Sequence, residues 1–236
     1  MTDTPLYLPH IGASRQYWRD IVLGVNDGLV SVFLLVVGVV GGGLAAGQVL
    51  LTGVAAAIAG AVSMAAGEYL ATKSQDEILE SELELERQHI EHFKDQELEQ
   101  LRGFFADMAV AEEDLDGVMA GFEENDEAIL NAMAALEFGF VESERRSPFL
   151  AMMMSGLLFL AGALPSIVPF ALTADTTVAL TWATVGALIG LFTVGVIKAR
   201  VASRHWLKPG LENMLIAGVG GVAAWAIGVA VGHTLA

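Results

Sequence analysis

The chain has 236 residues, a formal net charge of −16, and is 54% hydrophobic with a mean hydropathy of +0.57. Such apolar content is too high for a water-soluble domain, and such negative charge would repel the phosphates of nucleic acid, which is excluded as a partner. With no cysteine, neither a disulfide nor a thiolate metal site is possible.

Residues 1–19 form a polar lead-in without the apolar core of a signal peptide, so the first span is expected to be retained. Ser14 is placed to cap a short amphipathic helix carrying Tyr17 and Trp18, residues suited to a membrane interface. Five apolar stretches follow: Asp20–Val40, Leu51–Ala71, Phe149–Leu172, Val178–Lys198 and Met214–Thr234. Each reaches the roughly 20 residues that a helix needs to cross a bilayer. Gly24, Gly28, Gly38, Gly53, Gly60 and Gly67 let the first two spans approach neighbours closely, by helix packing or by exposing backbone to a substrate. Pro165 and Pro169 lie inside the third span and should kink it or open its hydrogen-bond ladder.

Between the second and third spans, Lys73–Arg146 holds 22 of the 28 acidic residues and 6 of the 12 Lys and Arg. No Gly or Pro interrupts Glu68–Arg102, and Ile78, Leu79, Leu83, Ile90, Phe93, Leu98 and Leu101 recur at helical spacing. The second span is therefore predicted to continue unbroken to Gly103. Helices over Ala106–Met119 and Glu123–Val141 follow, and Pro148 opens the third span. The fold class is all-α: a polytopic membrane protein with five transmembrane helices and a three-helix acidic domain. The expected segments are 1–72 (lead-in and spans 1 and 2), 73–147 (acidic domain) and 148–236 (spans 3 to 5).

Arg15, Arg19, Lys73, Arg145, Arg146, Lys198, Arg200, Arg204 and Lys208 all fall on one side if the amino terminus is cytosolic. The acidic domain is then cytosolic too, and the carboxyl terminus lies on the far side of a bacterial cell membrane or, alternatively, a vacuolar one.

Carboxylates beside a membrane bundle point to cation handling. Asp27 lies within the first span, between Asn26 and Gly28, where a carboxylate costs about 2.5–3.5 kcal/mol and normally marks an ion path. Asn26 offers a second oxygen, and Gly28 backbone access. Met64 and Glu68 share a face of the second span, a thioether beside carboxylates that suits a borderline transition metal such as Fe²⁺ better than Ca²⁺ or Mg²⁺. In the acidic block, Glu82, Glu86 and His89 share a face, and Glu86-x-x-His89 is a spacing that helical carboxylate metal sites use. Glu97-x-x-Gln100 follows. Glu137 stands in an apolar stripe with Met133, where it must be protonated, paired with Arg145 or Arg102, or bound to a cation.

At these residues the chain resembles the vacuolar iron transporter family. The similarity covers nearly its whole length and is most specific in Asp20-Ile-Val-Leu-Gly-Val-Asn-Asp-Gly-Leu29 and Ala59-Gly-Ala-Val-Ser-Met-Ala-Ala-Gly-Glu-Tyr-Leu70. The resemblance implies a homodimer in the lipid bilayer that moves Fe²⁺, and often Mn²⁺, out of the cytosol in exchange for protons; Zn²⁺ is a further ion the chain is expected to bind. It carries no prosthetic group and no catalytic residues. The implied membrane ligands are Asp27 and Met64. The implied cytosolic ligands fall on Glu86, His89, Glu97, Gln100, Met133, Ala134 and Glu137. His89 and Gln100 stand where the family usually has Glu, Ala134 where it has a second Met, and Ala56 where eukaryotic members have an acidic residue.

The expected function is thus a metal-ion transporter, not an enzyme, in which Asp27 and Glu68 exchange metal for protons. Two rivals remain at this point. A membrane-anchored di-iron oxidase would use Glu86-x-x-His89 but lacks a second such motif. A non-transporting buffer or sensor would have no use for Asp27.

Overall fold

The computed structural model describes residues 14–140, 145–201 and 205–235. Among the described residues it contains seven helices and no strand: α1 (Ser14–Gly41), α2 (Ala46–Asp107), α3 (Glu112–Met119), α4 (Asp126–Leu136), α5 (Pro148–Leu172), α6 (Thr176–Val201) and α7 (Leu207–Leu235). Five of them, α1, α2, α5, α6 and α7, are long and apolar enough to cross a membrane. The chain divides into two compact units, Met1–Tyr69 with Pro148–Ala236, and Leu70–Ser147. Helix α2 contributes to both.

In the first unit, α1 packs against α5, α6 and α7. The close fit has a covalent cause. A Cβ at Gly28 would collide with the backbone carbonyl of Phe159, and one at Gly162 with that of Val25, so glycine on both sides lets α1 and α5 touch backbone to backbone. The first part of α2 joins the same core. Gly60 receives the Phe159 ring, Gly53 faces Ile167 and Val36, and Val49, Ala57 and Ala61 are buried with Val32, Val36 and Phe159. Helix packing therefore accounts for Gly28 and Gly60. Enlarging Gly28 forces apart two main chains, and overpacking of this kind costs about 1–3 kcal/mol. Gly28→Ala is expected to lower the thermal unfolding temperature in detergent, whereas Gly67→Ala, with nothing near its Cβ position, leaves it unchanged.

Among the described residues no separate amphipathic helix precedes the first span. Ser14 begins α1 itself, which runs on through Tyr17 and Trp18. Likewise α5 passes through Pro165 and Pro169 as one helix. The ring nitrogens donate nothing to the carbonyls one turn back. Gly186 of α6 closes on Pro165, its Cβ position only 3.4 Å from the proline Cβ.

The second unit departs from the predicted long rod. Phe93 has φ −135° and ψ 32°, which breaks α2. No glycine or proline marks this break, and tertiary packing produces it. Folding the arms over places Ile90 from before the break and Leu101 from after it in one core with Met119, Ile129, Leu130 and Met133. The helix then passes through Gly103 and ends at Asp107, where Ala109 adopts a left-handed φ of 65°. Helix α3 consequently starts at Glu112, later than expected, with Glu112, Glu113 and Asp114 complementing its N-terminal dipole. Helix α4 is shorter than Glu123–Val141. The Asn125 side chain caps its start by accepting from Ala128 N at 3.0 Å. Its end turns at Gly139, φ 65°, with Phe140 N–H donating to the Ala134 carbonyl. Val141 lies outside the described residues. Ion pairs add to the packing: Lys94 with Asp126, Arg102 with Glu112 and Asp116, and Arg145 with Asp76 and Glu80.

Candidate metal centre

The break at Phe93 builds the cluster. On a straight helix Glu86 and Glu97 would stand roughly 16 Å apart along the axis. Instead, ligand atoms of Glu86, His89 and Glu97 all lie within 4.8 Å of one another. His89 Nδ1 is 3.3 Å from Glu97 Oε1 and 3.9 Å from Glu86 Oε2. Two ligands each about 2.1 Å from one ion are separated by at most about 4.2 Å, so a small contraction would close this set around a metal.

Both carboxylates are buried, Glu86 at 4% and Glu97 at 6% exposure, while His89 is half-exposed. Glu86 Oε1 and Glu97 Oε2 are buried without a hydrogen-bond partner. A buried carboxylate oxygen lacking a donor is costly, and a cation would satisfy it. Burial, then the nearby charges of Glu97 and Glu137, push the Glu86 carboxyl up from 4.5 to about 7, helped by a hydrogen bond with Glu97. A carboxyl raised in the fold stabilises the metal-free unit at low pH, and that contribution is lost as pH rises through about 7. Metal competes with this proton. Below pH 7, metal affinity is expected to fall by up to about tenfold per pH unit, the signature of one displaced proton, measurable by calorimetry across pH 5.5–8.

The other predicted residues of this unit are placed differently. Met133 is wholly buried in the apolar core. Glu137 is the C-cap of α4 and is exposed, because the helix stops at Leu136. Its charge nevertheless reaches Glu86. Gln100 and Glu82 are exposed, and Ala134 is buried.

In the membrane-type unit, Asp27 is exposed on α1 and accepts a hydrogen bond from Ser31 Oγ at 3.0 Å. The Asn26 carboxamide oxygen accepts from Asn213 Nδ2 at 3.2 Å, so it is engaged in tying α1 to α7. Met64 packs, partly buried, against the core around Phe159. Glu68 pairs with Arg19 at 3.6 Å. Sequence reasoning missed Asp20, buried at 4% exposure and paired with Arg19, although it opens the first apolar stretch.

The model of the VIT family matches residues 18–229. The chain belongs to the VIT family. Among its relatives, a protein named Vacuolar iron transporter from Acanthamoeba castellanii is 32% identical over 219 residues, covering 91% of this chain and 77% of its own. Vacuolar iron transporter 1 of Tulipa gesneriana is 28% identical over 213 residues, covering 90% and 86%. Vacuolar iron transporter 1 of Arabidopsis thaliana is 26% identical over 215 residues, covering 91% and 86%. The match to the VIT family thus includes both the five apolar helices and the acidic unit.

Proposed function

We propose that this VIT-family chain exports divalent metal, Fe²⁺ and also Mn²⁺, from the cytosol across a membrane in exchange for protons. The observation that carries the reading is the Glu86–His89–Glu97 cluster, whose two buried carboxylate oxygens have no protein donor. Relatives named as iron transporters and an intramembrane carboxylate, Asp27, support a transported ion over a merely stored one.

The acidic unit captures metal from the cytosol, its negative charge raising the local cation concentration. Glu86, His89 and Glu97 hold the ion, with Glu137 adding charge. Gln100, exposed, and Met133, buried in the apolar core, are further candidate ligands by resemblance, and each would have to turn toward the cluster to reach the ion. The ion then passes to Met64 and Asp27. Protons compete for the carboxylate lone pairs that hold metal, and this competition supplies the exchange. The basic residues at the helix ends favour a cytosolic amino terminus and acidic unit.

A homodimer completes the path. Leu23, Asp27 and Ser31 recur every four residues on α1 and are all exposed in one copy. A carboxylate facing lipid is costly, whereas the same face of a second copy would enclose two Asp27 side chains. Fe²⁺ uptake into proteoliposomes, with and without a pH gradient, tests the reading. Uptake that proceeds without oxygen separates it from an oxidase.

Met64 supplies the soft ligand. Met64→Ala is expected to reduce Fe²⁺ transport more than Mn²⁺ transport, because Mn²⁺ stands lower in the affinity order and gains less from a thioether. Equal losses in competition uptake would assign Met64 to packing alone.

A further inference from the structure

Most of the described cations are neutralised within the chain. Arg19, Lys73, Arg87, Lys94, Arg102 and Arg145 each pair with a carboxylate. Lys198 and Arg200 on the last turn of α6, and Lys208 on the first turn of α7, are exposed and pair with none among the described residues. In a chain of net charge −16, the α6–α7 hairpin thus keeps an uncompensated positive end. Trp206 marks its depth. The indole packs edge-on against Phe192 of α6, with ring centroids 6.1 Å apart, and stacks on His205 at 6.3 Å. An indole held in this way suits the headgroup level of a bilayer. The first turn of α7 carries no acidic residue, so its dipole favours an anion at the same level.

An apolar groove starts from this end. His205, Lys208 and Glu212 line its mouth, and Leu211 and Leu215 belong both to the mouth and to the apolar continuation that reaches Ala226. From Leu211 to Ala226 is about 22 Å along α7, more than the roughly 15 Å of hydrocarbon in one leaflet. Helix α7 is the least buried of the five spans, and Leu215, Val219 and Val222 are 67%, 71% and 70% exposed. A second copy does not fit this face. Two copies share one orientation in a membrane and would set their uncompensated cations side by side.

We propose that the groove along α7 is a binding site for an anionic phospholipid of the phosphatidylglycerol class, its phosphate on Lys208 and one acyl chain along Leu211, Leu215 and Val222. Basic pockets at the ends of membrane helices recognise anionic headgroups in this way. Glu212, one turn from Lys208, would repel a bare phosphate but accepts hydrogen bonds from headgroup hydroxyls, which a glycerol headgroup supplies. An ethanolamine headgroup could also meet Glu212, yet it is neutral overall and leaves Lys198, Arg200 and Lys208 uncompensated. The bound chain gives α7 the apolar packing that the protein itself withholds. The site is independent of which ion the protein carries.

The test uses the full chain in detergent, with phosphatidylglycerol, phosphatidylethanolamine or phosphatidylcholine of matched acyl chains added. Native mass spectrometry reads the retained lipid, and the unfolding temperature reads the stabilisation that binding brings. Phosphatidylglycerol is expected to be retained and to raise the unfolding temperature by several degrees, with the other two lipids weaker. Lys208→Gln should weaken its retention about fivefold, the effect of one basic residue near an anionic headgroup, whereas Lys208→Arg keeps it. Gly218 lines the groove, and a Cβ there meets nothing within 4 Å. Gly218→Leu should therefore fill the groove, abolish the lipid's stabilisation and leave the lipid-free unfolding temperature unchanged. Arg87→Gln, which removes a paired cation from the acidic unit, is the charge control and should change neither readout. Equal retention of the three lipids, or retention indifferent to both Lys208→Gln and Gly218→Leu, would overturn the proposal. A wild-type dimer that Gly218→Leu dissociates would assign the face to a second copy and overturn it as well.

Discussion

Asp27→Asn is expected to reduce metal uptake to background while the protein still inserts and folds. The carboxylate sits inside a membrane span, and the hydrogen bond it accepts from Ser31 runs within α1 and ties no helix pair together. Asparagine keeps the size and still accepts from Ser31, so the packing survives. The lost charge removes both the attraction for a divalent ion and the proton-accepting group. Size-exclusion and thermal profiles of the variant should match wild type. Wild-type uptake in a folded Asp27→Asn protein would remove Asp27 from the path.

The second large effect belongs to the acidic unit. Glu86→Gln and Glu97→Gln should each weaken Fe²⁺ or Mn²⁺ binding by about 100-fold or more, since even outer-shell changes at metal sites cost about 10–100-fold. Glu123→Gln, on an exposed residue outside the cluster, serves as the control and should change little. A second readout separates a metal site from a structural one. Glu86 is buried beside Glu97 with its carboxyl raised to about 7, so at pH 8 its ionised form strains the metal-free fold. Glu86→Gln should therefore raise the metal-free unfolding temperature at pH 8 while it lowers metal affinity. A variant that loses stability together with affinity would make Glu86 a structural residue. Equal effects from Glu86→Gln and Glu123→Gln would reduce the cluster to diffuse negative charge.

The five spans were legible because each is a long apolar run, a pattern that neither packing nor turns obscure. The acidic helices were legible only in outline. Gly103 suggested a stop, yet the helix continues through it, because a single helical glycine costs only about 1 kcal/mol and the core on Phe104 and Phe105 offsets that. Gly139 was the stronger stop signal and was overlooked. The break at Phe93 left no local mark. It arises because Ile90 and Leu101 must enter the same core, a non-local demand that helical periodicity cannot display. This break converts Glu86-x-x-His89 and Glu97 from separate motifs into one cluster. Glu137 looked buried from its apolar neighbours. Helix α4 ends one residue earlier, and that leaves it exposed. The Arg19–Glu68 pair escaped notice because it joins residues that lie far apart in sequence, across two helices.

The central claim is that metal moves through the bilayer in exchange for protons. The most direct test is Fe²⁺ uptake into anaerobic proteoliposomes with a pH-sensitive dye inside, begun with an acidic lumen. The account predicts Fe²⁺ entering as the lumen turns alkaline, both signals vanishing together in Asp27→Asn. Fe²⁺ that binds the protein without entering the lumen, or enters with no change in luminal pH, would contradict it.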